Sequence, residues 1–377
     1  MARKRIIYQS EALYAGATGA TKGSDGINQI HRVQDVSHSV EVTRTDVNEF
    51  GKLAALSREV IEVPTVGLDF TYYVVDGQNE ASGLGFSVDG HNVSSATNCL
   101  SGIMKQNSTD AEKNYYIVTV PEGEDASNGG TAATYTSPSS NGLIGIGNGY
   151  ITSYGLEASV GEIPSASVSV EASNLRFDTS SSGVPNPAIS TSDGSAMPGD
   201  VEVPISNTGT LAAAALRPGD ITLSFGNTLN QMGGAILPGY SDQDTGIACV
   251  QSVSLDLPLG RTPLQCLGSV FPKSRELDFP INATLSVSAN LADISSGSLR
   301  DLLCSDASER DITLTMRTRC GTSEASKALV VEMKNAIMDS QNMSSTIGDN
   351  KTVDLTFSTQ IGGPTDTNNG VFISGKL

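Results

Sequence analysis

Residues 33–74 read VQDVSHSVEVTRTDVNEFGKLAALSREVIEVPTVGLDFTYYV, and residues 250–291 read VQSVSLDLPLGRTPLQCLGSVFPKSRELDFPINATLSVSANL. Laid over each other at a constant shift of 217, without a gap, the segments are identical at eleven of forty-two positions. Unrelated segments of ordinary composition would share about three. The identities include Val33/Val250, Gln34/Gln251, Arg44/Arg261, Gly51/Gly268, Arg58/Arg275, Glu59/Glu276 and Leu68/Leu285. Apolar residues also fall on apolar residues, as at Val40/Leu257, Val42/Leu259, Phe50/Leu267 and Leu53/Val270. A chain that contains itself twice is expected to be two copies of one folding unit.

A second match, at a shift of 187, lays residues 148–174 over 335–361. It pairs Leu156 with Met343, Val160 with Ile347, Gly161 with Gly348 and Val170 with Phe357. The drop from 217 to 187 places about thirty extra residues in the first copy. The stretch Glu122–Asn141, dominated by Gly, Ser, Thr and Ala, is expected to hold much of the excess as a surface loop. Asp178–Pro218 is rich in Ser, Pro and Gly and has no aromatic residue, which reads as a linker. The expected organisation is residues 1–178 as copy one, 179–218 as linker and 219–377 as copy two.

Within each copy the apolar residues alternate with period two, the signature of strands with one buried and one wet face. Val36, His38, Val40 and Val42 oppose Asp35, Ser37, Ser39 and Glu41; Val253, Leu255, Leu257 and Leu259 oppose Ser252, Ser254 and Asp256. Val66, Leu68, Phe70 and Tyr72, then Ala166, Val168 and Val170, then Val353, Leu355 and Phe357 repeat the pattern. Ser-rich starts that can cap a helix precede Ala96–Met104 and Gly297–Cys304, the expected short helices. The fold class expected is mainly β. Between the first two matched strands, Thr43–Glu62 is too long for an ordinary hairpin turn. It carries Val47, Phe50, Leu53 and Leu56 and is expected to be an arm reaching a neighbouring subunit.

Composition narrows the function. The 377 residues are 38% hydrophobic and 17% charged, with no Trp and a net charge of −18. That balance argues against a protein that grips nucleic acid, which needs Lys and Arg to displace phosphate counterions. The basic start Met1-Ala2-Arg3-Lys4-Arg5 is not followed by the apolar core of a signal peptide, and no stretch approaches the length of a membrane-spanning helix. Five cysteines without a CxxC pair are expected to be reduced thiols. The three histidines form no HxxxH or HxH spacing, neither GxSxG nor GxxxxGK[ST] occurs, and nothing nominates a pair of carboxylates for acid–base work. No enzyme, cofactor or metal site is expected.

The runs Arg32-Val33-Gln34-Asp35-Val36, Thr43-Arg44-Thr45-Asp46-Val47-Asn48-Glu49-Phe50-Gly51 and Val63-Pro64-Thr65-Val66-Gly67-Leu68-Asp69-Phe70-Thr71-Tyr72-Tyr73 resemble the tail tube proteins of long-tailed bacteriophages. The resemblance covers most of the first copy, and the second through the internal match. It implies two tandem tail-tube-like β-sandwich or barrel domains, each with a short flanking helix and a long interstrand loop. Such subunits join strands into a barrel around a central channel, and the long loop touches the next ring. A duplicated subunit would form a ring of three chains with pseudo-sixfold symmetry, though a ring of six stays open.

The function implied is structural: a subunit polymerising into stacked rings that conduct DNA during ejection, located in the virion tail and assembled in the host cytoplasm. Its partners would be itself, other tail proteins and DNA in transit, and no membrane. A tail terminator or baseplate component, or an extracellular β-sandwich adhesin, are the alternatives. The inter-subunit loops would present Arg44, Val47, Phe50, Leu53, Arg58 and Glu59, with Arg261, Leu267, Arg275 and Glu276 in the second copy. Asp35, Glu41, Asp69, Glu157, Glu171, Asp256 and Asp354 are the candidates to line an acidic channel.

Overall fold

The computed structural model describes residues 7, 11–19, 26–90, 97–105, 110–120, 126, 133–135, 142–178, 184–197, 199–201, 203–205, 216, 218–225, 248–269, 271–291, 310–318, 327–348 and 350–376. Strands of four residues or more are numbered in chain order. The first half holds β1 (Glu11–Ala17), β2 (Val33–Glu41), β3 (Arg44–Val47), β4 (Ser57–Val60), β5 (Thr65–Tyr73), β6 (Lys113–Thr119), β7 (Gly142–Ser159), β8 (Ser165–Ala172) and β9 (Asn174–Asp178). The second holds β10 (Ile221–Phe225), β11 (Ala248–Pro258), β12 (Arg261–Leu264), β13 (Ser274–Leu277), β14 (Asn282–Leu291), β15 (Arg310–Arg317), β16 (Lys327–Ser344), β17 (Thr352–Gln360) and β18 (Gly370–Gly375). The chain is mainly β.

The alternation read at Val36–Val40 is the ladder of β2 against β5, with Val36 opposite Phe70, His38 opposite Leu68 and Val40 opposite Val66. β11 pairs with β14 in the corresponding register: Val253 lies opposite Val287 and Leu255 opposite Leu285, each number raised by 217. Both ladders slip by a residue at corresponding places, between Val33 and Asp35 and between Val250 and Ser252. β7 pairs with β8 and β16 with β17, and both ladders slip after corresponding residues, Ile151 and Met338.

β7 and β16 are 18 residues long and each serves two ladders. The first part of β7 pairs with β6 and β9, and its second part with β8. The first part of β16 likewise pairs with β15 and β18, and its second part with β17. Asn148 (φ 55) and Asn335 (φ 54) stand at the two changeovers, where a short polar side chain tolerates the left-handed backbone better than a β-branched one would.

The halves are joined through a strand pair. β7 accepts β11 along Ser153–Ser159, with Leu156 opposite Leu255 and Tyr154 opposite Leu257. The result is a central antiparallel sheet of order β16-β17-β14-β11-β7-β8-β5-β2. Its apolar face, with Phe70, Tyr154, Leu255, Leu285 and Phe357, packs with Leu13, Ile117, Leu314 and Val331 of the outer ladders into one core. A smaller apolar cluster of Tyr14, Tyr116, Val118, Leu143, Val184 and Val203 covers the other face of the β1–β6 ladder.

Three expectations need restating. The described part of the helix expected at Ala96–Met104 is a series of turns, not a helix. The Cys99 backbone explains this: its amide donates to the Val371 carbonyl and its carbonyl accepts from the Ser87 amide, both at 2.8 Å, so groups a helix would pair locally are used by distant segments. Asn98 adds an anchor, its Nδ2 donating to the carbonyls of Gly362 and Gly363. The turns bury Cys99, Leu100 and Ile103 against the core instead. Gly297–Cys304 and most of Glu122–Asn141 lie outside the described residues.

The helical element near the sheet is a six-residue π turn, Asn79–Leu84, which periodicity did not flag. Finally, part of the stretch read as linker lies against the first half. Asn114 Nδ2 donates to Asn186 Oδ1 at 2.8 Å, and the Ile189 amide to Asn148 Oδ1 at 2.8 Å.

Candidate functional site

Neighbours across an antiparallel ladder share a face, so the registers locate every acid nominated for a channel. Asp69 lies opposite Ser37 and Ser169; Asp35 and Glu41 lie opposite Thr71 and Thr65; Glu171 lies opposite Gly67. Glu157 lies opposite Ser165 and Ser254, Asp256 opposite Gly155 and Thr284, and Asp354 opposite Ser288 and Asn342. Followed strand to strand, all seven fall on the same face of the central sheet, the one turned away from the core. All but Glu171 are exposed. Ser288 Oγ donates to Asp354 at 2.7 Å, and Glu171 is ion-paired with Arg275. The strand segments 33–41, 65–73, 150–159, 165–172, 248–258, 282–291, 337–344 and 352–360 contain no Lys or Arg. The remaining positions of this face are mostly Ser, Thr, Gly and Asn. Sequence reading passed over Asp339, exposed in β16, because the slip between Met338 and Ser340 breaks the alternation there.

The long segments between matched strands are hairpins in both halves. β3 pairs with β4, Arg44 opposite Val60, and β12 with β13, Arg261 opposite Leu277. Gly51 (φ 92) and Gly268 (φ 88) supply the left-handed backbone of the two tips. Phe50 and Leu53 at the first tip and Leu267 at the second stand fully in solvent.

At their bases the hairpins differ. Arg44, Val47, Arg58 and Glu59 are exposed, and Arg58 pairs with Asp46 at 2.9 Å. Arg261, expected on an inter-subunit loop, instead reaches the first half of its own chain: Nε donates to the Ile151 carbonyl at 3.1 Å, and the guanidinium lies 5.0 Å over the Tyr150 ring. Arg275 is buried and pairs with Glu171, while Glu276 beside it borders the same cleft as Glu112, Tyr150 and Lys273. The surface that receives the second hairpin is carried by the same polypeptide.

A buried carboxylate sits beside the π turn. Glu80 is fully enclosed, and its Oε1 accepts from Tyr72 Oη at 2.7 Å and from Tyr154 Oη at 3.2 Å. Burial raises its pKa to about 7, and burial likewise lifts both tyrosines well above their ordinary range. The corresponding positions in the second half are Ala289 and Gln341, so this group belongs to the first half alone. Among the described residues no cluster of three or more His, Cys, Asp or Glu could hold a metal ion. No protein-family model and no curated protein matches the chain.

Phe50→Asp tests the first hairpin as an assembly arm. With the ring already in solvent, the melting temperature of the monomer should stay within about 2 °C, since exposed substitutions rarely exceed about 0.5 kcal/mol. If the tip is an inter-subunit contact, assembly through it should fall sharply, because a charge at a desolvated contact is costly. Normal polymers from this variant would remove the tip from any interface.

Proposed function

We propose that the chain is a structural subunit of a phage tail tube, an internal duplication of one tube domain that assembles into stacked rings. The observation that carries this reading is one sheet spanning both matched halves, whose strands present acids, hydroxyls and glycines on the solvent face and themselves contribute no lysine or arginine. Equal ladder registers at a shift of 217, and the paired asparagines at a shift of 187, support the duplication. Turned inward in a ring, this face makes an acidic lumen. Duplex DNA carries one negative charge per ~1.7 Å of axis, so a basic wall would hold it and an acidic wall lets it slide. The repulsion is screened within about 10 Å at 0.1 M salt, so it lubricates without ordering the duplex. Three chains with two domains each would give a pseudo-sixfold ring, and the solvent-facing tips at Phe50 and Leu267 would meet the next ring.

Negative-stain microscopy of the concentrated protein should show hollow tubes or rings. A protein that stays monomeric at high concentration refutes the reading. Filter binding to duplex DNA at about 50 mM salt should show no retention. Retention that weakens steeply with salt would mean cationic contacts and would exclude the acidic channel.

A further inference from the structure

The two ends of the central sheet, β2 and β16, are the positional counterparts of the two strands joined at its middle. β11 corresponds to β2 and β7 to β16, so the chain contains one completed junction and both halves of an open one. Burial at corresponding positions shows the difference. Leu257 is 1% exposed where Val40 is 50%, and Leu156 is 1% where Met343 is 37%. Leu259 against Val42 and Tyr150 against Ile337 differ in the same direction. Each exposed member is a large apolar residue on a sheet end whose counterpart is covered by the other half of the chain. A long edge with apolar side chains and free backbone groups is a template for strand addition.

The geometry points to a second copy of this chain as the occupant, with β16 of one copy accepting β2 of the next in the register of β7 with β11. This rests on the self-assembly proposed above and adds the residues that meet. Transferring the β7–β11 pairs sets Ser340 opposite Glu41, Gln341 opposite Val40, Asn342 opposite Ser39, Met343 opposite His38 and Ser344 opposite Ser37. The Leu259 amide donates to the Thr152 carbonyl at 2.8 Å, so the Val42 amide donates to the backbone carbonyl of Asp339 in the adjacent copy. As Arg261 bonds the Ile151 carbonyl, Arg44 bonds that of Met338, and the β3–β4 hairpin gains the seat that β12–β13 finds within the chain. The exposure of Arg44 and Arg58 in the single chain, where Arg261 is half-buried and Arg275 buried, follows, because their dock lies on another molecule.

Cysteine pairs test the register in the full-length chain with exposed Cys266 replaced by Ser, that parent chain controlling for the remaining cysteines. Directly opposed strand residues lie ~4.5–5.5 Å apart at Cα, within disulfide range. Under mild oxidation of assembled protein, Ser37→Cys with Ser344→Cys, and Ser39→Cys with Asn342→Cys, should give a ladder of linked chains on non-reducing gels. Glu41→Cys with Ser344→Cys is displaced by four residues, ~13 Å along the strand, and should link at least tenfold less. Rings or tubes in which the in-register pairs stay unlinked, or link no better than the displaced pair, overturn the register and leave self-assembly standing. A monomer at all concentrations overturns both.

Discussion

Leu257→Ala should destabilise the chain by about 3 kcal/mol, and Val40→Ala, its counterpart 217 residues earlier, by less than about 1 kcal/mol. The two residues occupy corresponding positions of β11 and β2 and differ little in local pattern. Leu257 is covered because β11 has β7 on its far side, and truncation leaves a cavity there. Val40 has solvent on that side. Assembly should respond in the opposite order. Val40→Lys should leave the monomer folded and block the proposed junction, where the ammonium would be desolvated without a partner. Urea unfolding of the monomer and sedimentation of the concentrated protein read the two effects separately. If Val40→Lys polymerises normally, or if Val40→Ala costs as much as Leu257→Ala, the edge is not what joins the subunits.

Folding stability should fall as pH rises from about 4.5 to about 7, and Glu80→Gln should remove most of that dependence. Glu80 has a folded-state pKa of about 7 against 4.5 for the free side chain, because burial penalises the carboxylate more than two tyrosine hydroxyls stabilise it. The folded state therefore binds the proton more tightly. Below about 4.5 both states are protonated and the burial penalty is absent. Above about 7 it is fully present, about 3 kcal/mol at roughly 1.4 kcal/mol per tenfold change in proton affinity. A neutral glutamine keeps an oxygen to accept from Tyr72 and Tyr154 and carries no charge to bury. Denaturation midpoints at pH 5 and pH 8 decide the matter. A wild-type chain equally stable at both, or a variant with an undiminished slope, would show that Glu80 is solvated in the folded state.

Much of the fold is a local matter, and it was legible in the residues. Period-two alternation at Val36–Val42, Val66–Tyr72, Val168–Val170 and Val353–Phe357 names the strands and their wet faces, because side chains on a pleated backbone alternate whatever lies beyond. The acidic character of one sheet face was legible for the same reason. Asp35, Asp69, Glu157, Asp256 and Asp354 were each assigned from their own strand, and the registers gather them on one surface.

What local pattern could not supply was the identity of the neighbour. The helix read at Ala96–Met104 gave way because the Cys99 amide pairs with the carbonyl of Val371, a partner more than 260 positions away, and its carbonyl with the amide of Ser87. Glu80 looked like any surface acid until Tyr72 and Tyr154 were folded over it. Arg44 and Arg261 share a motif, yet one is exposed and the other bonds the carbonyl of Ile151. The sequence by itself determined the β class, the matched segments and the polarity of each strand face. Only the tertiary structure decided which copy of each matched residue is covered, because a strand's second neighbour is chosen by long-range pairing and leaves no trace in the periodicity of the strand itself.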